Sequence, residues 1–246
     1  SGIKNMPFNK PDITQLSALG STTGDVYFPQ TELLLPFDGT NGATTTTDSS
    51  NSNNSVTFAG TAQLSTAQSK FGGSSILLDG NSDYITVTNS DLNLGGVSFT
   101  LELWVYLNGG IGSLMAFYSD YRGNGNGVMI SKSTGNVVQV NLSGDGTDIT
   151  GTTTLTTGQW YHIALSGSDG SCKLFLNGTQ EGSTFTGSAT SGSSTKNIGN
   201  FYYSSTGQIR FFDGYIDDFR ITKGVARYTS NCTPPTSAHL TSAGDV

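Results

Sequence analysis

The chain of 246 residues is long enough for one large β domain or two small ones. Charged residues make up only 12%, the formal net charge is −7, and the 11 basic residues are scattered singly, which excludes a surface built to bind nucleic-acid phosphates. No run approaches the ~18 apolar residues of a membrane span, so we expect no membrane insertion. Glutamate occurs at positions 32, 102 and 181 alone, and this shortage of helix-forming residues excludes a helical bundle.

Residues 1–30 differ from the rest of the chain. They hold three of the six prolines and a polar turn at 20–24, without an alternating apolar pattern, which is typical of an arm or linker. The segment nevertheless carries large apolar side chains, among them Ile3, Met6, Phe8, Ile13, Leu16 and Leu19. We therefore expect an arm at 1–30 that docks onto another subunit, a domain at 31–236 and a C-terminal tail at 237–246.

From residue 31 onward, short segments rich in β-branched and aromatic residues recur at intervals of roughly 8–12 residues. The predicted strands are 31–37, 56–59, 75–79, 84–88, 98–107, 113–118, 127–132, 136–142, 159–167, 171–177, 180–186, 195–201 and 212–222. The segment 98–107 carries bulky side chains on both faces, which predicts a central strand. Asn177-Gly178 is a strong signal for a two-residue hairpin turn. The pattern predicts one all-β sandwich of about a dozen strands.

Seven motifs occur along the chain in a fixed order. They are ELLLPFDG at 32–39, QSKFGGSSILLDG at 68–80, DYI at 83–85, FTLELW at 99–104, QWYHIA at 159–164, LFLNG at 174–178 and DGYIDDFRITKGVARY at 213–228. As a set they resemble the laminin G-like branch of the concanavalin A-like jelly rolls, over residues 31–236. The last motif, closing on TPPT at 233–236, is similar to laminin G-like domains in virion proteins of bacteriophages. The resemblance implies a two-sheet antiparallel jelly-roll sandwich, glycan or surface binding, and a calcium ion.

Residues for catalysis do not form a recognisable constellation. Glucanases on this fold use closely spaced carboxylates, but Glu102 has no acidic residue at positions 100, 104 or 106. Asp217 and Asp218 are adjacent, so a regular strand points their side chains to opposite faces. His162 lies in an apolar strand, which favours a hydrogen-bonded structural histidine over a general base. We therefore predict a protein that is not an enzyme; a glycoside hydrolase is the third alternative.

Calcium is the better chemical hypothesis, because this ion takes oxygen ligands that the sequence offers near the ends of predicted strands. Asp38 ends the first strand in a Phe-Asp-Gly turn, and Asp217 lies in the last strand. The first and last strands of a jelly roll commonly lie close, so these carboxylates are predicted to converge, with Asp48 as a third ligand. The alternative is structural: Asp38 makes an Asx turn, and Asp217 pairs with Arg220 or a backbone amide.

Two aromatic clusters are candidates for glycan contact. Tyrosine beside amide side chains in Gly/Asn-rich loops offers a ring platform with hydrogen-bonding neighbours. The predicted ligand-binding residues are Tyr118, Tyr121, Asn124 and Asn126 in the first cluster, and Tyr202 and Tyr203 in the second. The alternative is that these aromatic side chains are buried under neighbouring loops.

Together with the resemblance, these observations predict a non-enzymatic structural protein at the surface of a phage particle, on head or tail. Its sandwich would adhere to carbohydrate or cell envelope, and its arm would join it to other virion proteins as a homo-oligomer. The alternative is a purely architectural decoration subunit that binds no sugar. Cys172 and Cys232 match no metal-binding spacing, and two free thiols or one disulfide both fit the sequence.

Overall fold

A computed structural model describes residues 24–121, 126–144, 146–168, 170–203 and 205–243. Within them the regular secondary structure consists almost entirely of antiparallel strands, which form two large sheets around one apolar core. The predicted all-β jelly-roll sandwich is therefore confirmed. In the described residues no helix is long and apolar enough to cross a membrane.

Sheet A contains the longest strands. All strands of the protein are numbered in chain order. The spatial order of sheet A is Thr179–Thr186 (β13), Ser171–Leu176 (β12), Trp160–Ser168 (β11), Phe99–Leu107 (β6), Asp213–Lys223 (β17), Ser75–Asp79 (β4) and Gln63–Ser65 (β3), with Thr31–Leu35 (β1) also paired to β17. The predicted central strand, β6, lies between β11 and β17, which confirms that prediction.

Sheet B packs against the inner face of sheet A. Its spatial order is Ile149–Thr150 (β10), Val138–Asn141 (β9), Met129–Lys132 (β8), Met115–Ser119 (β7), Thr195–Ile198 (β14), Tyr84–Thr88 (β5) and Val56–Ala59 (β2). A separate short hairpin consists of Phe201–Tyr203 (β15) and Gly207–Ile209 (β16). Single 3-10 turns occur at Phe28–Gln30 and Ser90–Leu92.

Most predicted strands are present within two residues of their predicted ends. The predicted strand 195–201 is wrong in one respect, because Gly199 (φ +85°) breaks it into β14 and β15. Backbone hydrogen bonds from Gly199 to Phe117 and from Phe212 to Gly199 hold this break in place. The short strands β3, β10 and β16 were not predicted, since two or three residues give too little alternation to recognise.

Strand β17 changes its neighbour halfway along its length. Its first residues, Asp213–Ile216, pair with β4, and the residues from Phe219 onward pair with β1. The change occurs at a bulge where Asp218 takes a left-handed conformation (φ +49°). The expectation that Asp217 and Asp218 lie on a regular strand is therefore wrong, and both side chains are buried at the kink.

The segments on either side of the predicted domain pack against the outer face of sheet A. Asp25 forms ion pairs with Arg220 (3.0 Å) and Arg227 (2.8 Å), and His239 is buried beside Asp218. Residues 24–30 of the predicted arm therefore contact the domain itself, whereas residues 1–23 lie outside the described residues. Cys172 is buried and Cys232 is half-buried, and both are free thiols.

Candidate functional site

The hairpin β15–β16 lies over the outer face of sheet B. Phe201 and Ile209 face each other across the hairpin and pack on Tyr121, Ala116 and Met129. The ring centroids of Tyr121 and Phe201 are 5.6 Å apart. This small apolar cluster is separate from the main core and fixes the hairpin on the sheet.

Alternation along the hairpin sends its two exposed tyrosines to opposite sides. Tyr202 is paired with Gln208, so both point to one side, while Tyr203 points to the other. Tyr202 is 45% exposed and Tyr203 is 36% exposed. A groove runs along each side of the hairpin, and each groove has one of these tyrosines in its wall.

We call the first depression the amide groove. It has a volume of about 500 Å³ and is lined by Tyr121, Ser193, Thr195, Asn197, Tyr202 and Gln208. The Oδ1 atom of Asn197 has no hydrogen-bond partner within the described residues, although its amide nitrogen donates to the Ser119 carbonyl. Gln208 Oε1 accepts a hydrogen bond from Asn200. The lining therefore offers neutral donors and acceptors beside a tyrosine ring.

We call the second depression the arginine groove. It has a volume of about 470 Å³ and is lined by Tyr121, Met129, Asn141, Phe201, Tyr203, Thr206, Ile209 and Arg210. The Arg210 guanidinium stacks over the Phe201 ring, 4.9 Å from its centroid. Tyr121 belongs to both linings, so the two grooves meet beneath the hairpin.

A buried ion pair beneath the amide groove orders its floor. Asp120 lies 3.0 Å from Lys196 Nζ on β14 and also accepts a hydrogen bond from the Val128 backbone N–H. Burial raises the pKa of Asp120, although Lys196 opposes this effect. The pair connects the end of β7 to β14, and so it fixes the backbone on which Tyr121 and Asn197 stand.

The structure brings together three of the six predicted glycan-contact residues: Tyr121, Tyr202 and Tyr203. Tyr118 as a contact residue is wrong, because its ring is fully buried in the core and its hydroxyl donates to Asp120. Asn126 is exposed but lines neither groove. Asn124 lies outside the described residues.

Ten lining residues were not predicted from the sequence, among them the amide and charged side chains Asn141, Asn197, Gln208 and Arg210. Asn141 ends β9 and Asn197 lies in β14, where polar residues on an outward strand face look like ordinary surface. The sequence signal for two grooves is the dipeptide Tyr202-Tyr203, because adjacent residues of a strand point to opposite sides. This signal is informative only once β15 is known to be a strand.

The predicted calcium ligands have other roles in the structure. Asp48 accepts five hydrogen bonds, of 2.7–2.9 Å, from the groups of Leu34, Ser50 and Asn54. Asp217 accepts backbone N–H groups, including those of Lys70 (2.7 Å) and Phe71 (3.1 Å), which confirms the structural alternative for this residue.

Asp38 is exposed as a residue, but its carboxylate lies directly against Gly72, and this partial desolvation raises its pKa. Within the described residues, no group of three or more His, Cys, Asp or Glu side chains is placed to hold a metal ion. Asp38, Asp48 and Asp217 therefore do not fit a shared calcium site there, and calcium binding elsewhere stays a prediction.

Glu102 is the glutamate that was considered for catalysis. In the structure it is held in a buried hydrogen-bond network on the outer face of sheet A. It accepts hydrogen bonds from Arg220 (2.6 Å), Tyr228 (2.7 Å) and the His162 ring (3.1 Å). Although burial favours the neutral form, the Arg220 charge and these hydrogen bonds hold the pKa of Glu102 well below its usual range. Glu102 is thus a structural anion, and His162 is confirmed as a hydrogen-bonded structural histidine.

A family model described as the concanavalin A-like lectin/glucanases superfamily, of laminin G type, matches residues 79–227. Among solved structures, domain 4 of an extracellular GH43 arabinanase from Geobacillus stearothermophilus, in complex with arabinotriose, is similar with a TM-score of 0.55 at 21% identity. This likeness covers 80% of the present chain and 94% of the arabinanase domain. No curated protein sequence matches the chain.

Two further solved structures share the fold. The binding domain of botulinum neurotoxin serotype D gives a TM-score of 0.57 at 16% identity, over 79% of the present chain and 48% of the neurotoxin domain. A mutant Trypanosoma rangeli sialidase that displays trans-sialidase activity gives 0.53 at 12% identity, over 78% and 30%. The chain thus spans about half the length of the neurotoxin domain. At these identities the likenesses establish the fold.

Proposed function

The chain belongs to the concanavalin A-like lectin/glucanases superfamily, and from that premise we propose that it is a carbohydrate-binding domain whose ligand occupies the amide and arginine grooves. The observation that carries the proposal is the placement of Tyr202 and Tyr203. One hairpin presents two exposed tyrosine rings, one to each groove, beside amide side chains.

This combination matches the chemistry of a sugar. A pyranose ring has an apolar face of C–H groups that packs on an aromatic ring, and a rim of hydroxyls that donate and accept hydrogen bonds. An aromatic side chain supplies a large apolar surface, and the amides Asn197, Gln208 and Asn141 each combine donors with an acceptor. Each groove also falls within the ordinary size range of small-molecule sites.

The test is a broad glycan array followed by calorimetric titration of each positive glycan. Truncating a buried contact aromatic typically costs 1–2 kcal/mol or more, so we expect Tyr202→Ala and Tyr203→Ala each to weaken binding about tenfold. Tyr27→Ala is the matched control, because Tyr27 is 44% exposed and its ring lies over Arg227 on the sheet A side. Equal losses in all three variants, or no glycan bound by the unmutated protein, would overturn the proposal.

We further propose that the domain binds without hydrolysing its ligand. The support is the state of Glu102, which is buried and held as an anion by Arg220 and so is unsuited to donate a proton. Chromatography of a bound oligosaccharide after prolonged incubation should recover it intact. Release of shorter saccharides that persists in a Glu102→Gln variant would place a catalytic site elsewhere in the chain.

The particle context is a separate proposal, supported by the resemblance of the closing motif to domains of phage virion proteins. We propose display on the virion surface, with residues 1–23 contacting other virion proteins. A deletion of residues 1–23 tests this, because it leaves Asp25 and its ion pairs with Arg220 and Arg227 in place. Antibody against the domain should label phage particles, and the deletion should abolish the label. Particles that stay unlabelled with the full-length protein would contradict the proposal.

A further inference from the structure

Among the described lining residues of the two grooves Arg210 is the charged one, and no described carboxylate balances its charge. Within the described residues, Lys196, Arg220 and Arg227 each lie within 3.0 Å of a carboxylate, whereas Arg210 takes part in no ion pair. The hydrogen bond that the structure gives its guanidinium runs from Nη1 to Met129 Sδ, at 3.6 Å. A thioether is a weak acceptor, so most of the N–H donors of the guanidinium have no protein acceptor there.

The backbone of Arg210 is held in a conformation that arginine seldom adopts. Its φ of +59° lies in the left-handed region, which Gly and Asn occupy at lower cost. A hydrogen bond from the Ala116 N–H to the Arg210 carbonyl (2.9 Å) holds the chain in this position as it leaves β16. Strained non-glycine residues cluster at ligand sites, where the side chain rather than the backbone requires the residue type.

Among the described lining residues, Arg210 alone gives one groove a charge that the other lacks. The described lining of the arginine groove contains no acidic side chain, and neither does that of the amide groove. Burial lowers the pKa of Arg210, as expected for a cation without an opposing carboxylate. Stacking on Phe201 fixes the plane of the guanidinium, so its N–H fork is presented in a defined direction.

We infer that the arginine groove binds the carboxylate of an acidic sugar residue, with Arg210 as the specificity-determining residue. The amide groove then binds a neutral sugar residue of the same oligosaccharide. This inference rests on the proposed carbohydrate-binding function. The planar fork of arginine matches the two oxygens of a carboxylate, and such charge-assisted pairs are the stronger class of hydrogen bond. The acidic sugar would lie beside Tyr203, and Asn141 and Thr206 belong to the same groove lining.

The experiment compares matched acidic and neutral saccharides by calorimetric titration. The probes are oligogalacturonides and their methyl esters, which differ only in the free carboxylate, and sialyllactose and lactose, which differ by the whole acidic sugar residue. We expect the unmutated protein to prefer the acidic member of at least one pair by about tenfold or more, and added salt to reduce that preference.

Variants at Arg210 assign the preference to this residue. Arg210→Asn suits the left-handed backbone and is expected to fold at least as well as the unmutated protein, yet to bind both members of a pair equally. Arg210→Lys keeps the charge without the fork and should retain part of the preference. Lys223→Gln, which removes a charge at the end of β17, is the control and should retain all of it.

The outcomes separate this inference from the carbohydrate-binding proposal on which it rests. Binding of acidic and neutral members with equal affinity overturns the acidic-sugar inference and leaves the carbohydrate-binding proposal standing. A preference that survives in Arg210→Asn assigns the carboxylate to another residue and also overturns the inference. Binding to no saccharide at all overturns both.

Discussion

Asp218 occupies the kink of β17 and makes the stability of the protein depend on pH in a predictable direction. Its side chain is 1% exposed, and both carboxylate oxygens accept the His239 backbone N–H, at 3.1 and 3.2 Å. Burial, together with the negative charges of Glu102 and Asp38, raises the pKa of Asp218 to about 7. Asp218 is therefore largely protonated in the folded protein throughout the weakly acidic range.

The unfolded chain releases this proton at a much lower pH, near the ordinary aspartate pKa of 3.8. Between pH 4 and pH 7 the folded state thus binds more protons than the unfolded state, and stability falls as pH rises through that window. Each pKa unit corresponds to about 1.4 kcal/mol, so the full loss is on the order of a few kcal/mol. Above pH 7 both states are ionised at this residue, and its contribution no longer changes.

The Asp218→Asn variant removes this titration and keeps the shape of the side chain. Asparagine tolerates the left-handed backbone, and its amide can donate to His239 Nε2, which lies 3.6 Å from the Asp218 carboxylate and has no hydrogen-bond partner in the described residues. We expect the variant to melt at nearly the same temperature as the unmutated protein at pH 4. The rise in the pKa of Asp218 from 3.8 to about 7 corresponds to about 4–5 kcal/mol, so at pH 8 the variant should melt roughly 9–18 °C higher, at 2–4 °C per kcal/mol for a chain of this size.

Calorimetric melts from pH 4 to pH 9 measure this difference directly. Asp91→Asn, at an exposed aspartate in the first turn of a 3-10 segment, is the control and should show no growth of the difference with pH. A difference for Asp218→Asn that is constant across the range would refute the reasoning. A difference in melting temperature that is largest at pH 4 would refute it as well.

Three further predictions concern the buried network, calcium and the thiols. Glu102→Gln leaves the buried Arg220 guanidinium without its closest carboxylate and should cost about 3 kcal/mol or more in urea unfolding at pH 7; a cost below about 1 kcal/mol would contradict the network. Because Asp38, Asp48 and Asp217 do not share a calcium site, any rise in melting temperature in calcium over chelator should persist in Asp38→Asn, whereas a rise that Asp38→Asn abolishes would show a metal site there. A thiol reagent should modify Cys232 in the folded protein and Cys172, whose pKa burial raises to about 11, only after unfolding; two fast thiols would contradict this.

The fold was predictable from the sequence because the strands that build the core are long and alternate regularly. In β6, Phe99, Leu101 and Leu103 are spaced by two and enter the core, while Glu102 between them turns to the outer face. What the pattern could not show is that the outer face is covered as well. Arg220 and Tyr228 reach Glu102 from 118 and 126 residues further along the chain, and no local pattern records contacts over such separations.

The candidate site was predictable only in its tyrosines, for a reason that lies in the hairpin. Tyr202 and Tyr203 were recognisable as tyrosines that solvent or a ligand would contact, but their neighbours depend on where β15 folds back. Gly199, with φ +85°, ends β14 and turns the chain onto the outer face of sheet B, where Phe201 meets Tyr121. A substitution at Gly199 would place a Cβ atom against Leu78 of the core and force a left-handed conformation, so this glycine couples the packing of the sandwich to the position of both grooves.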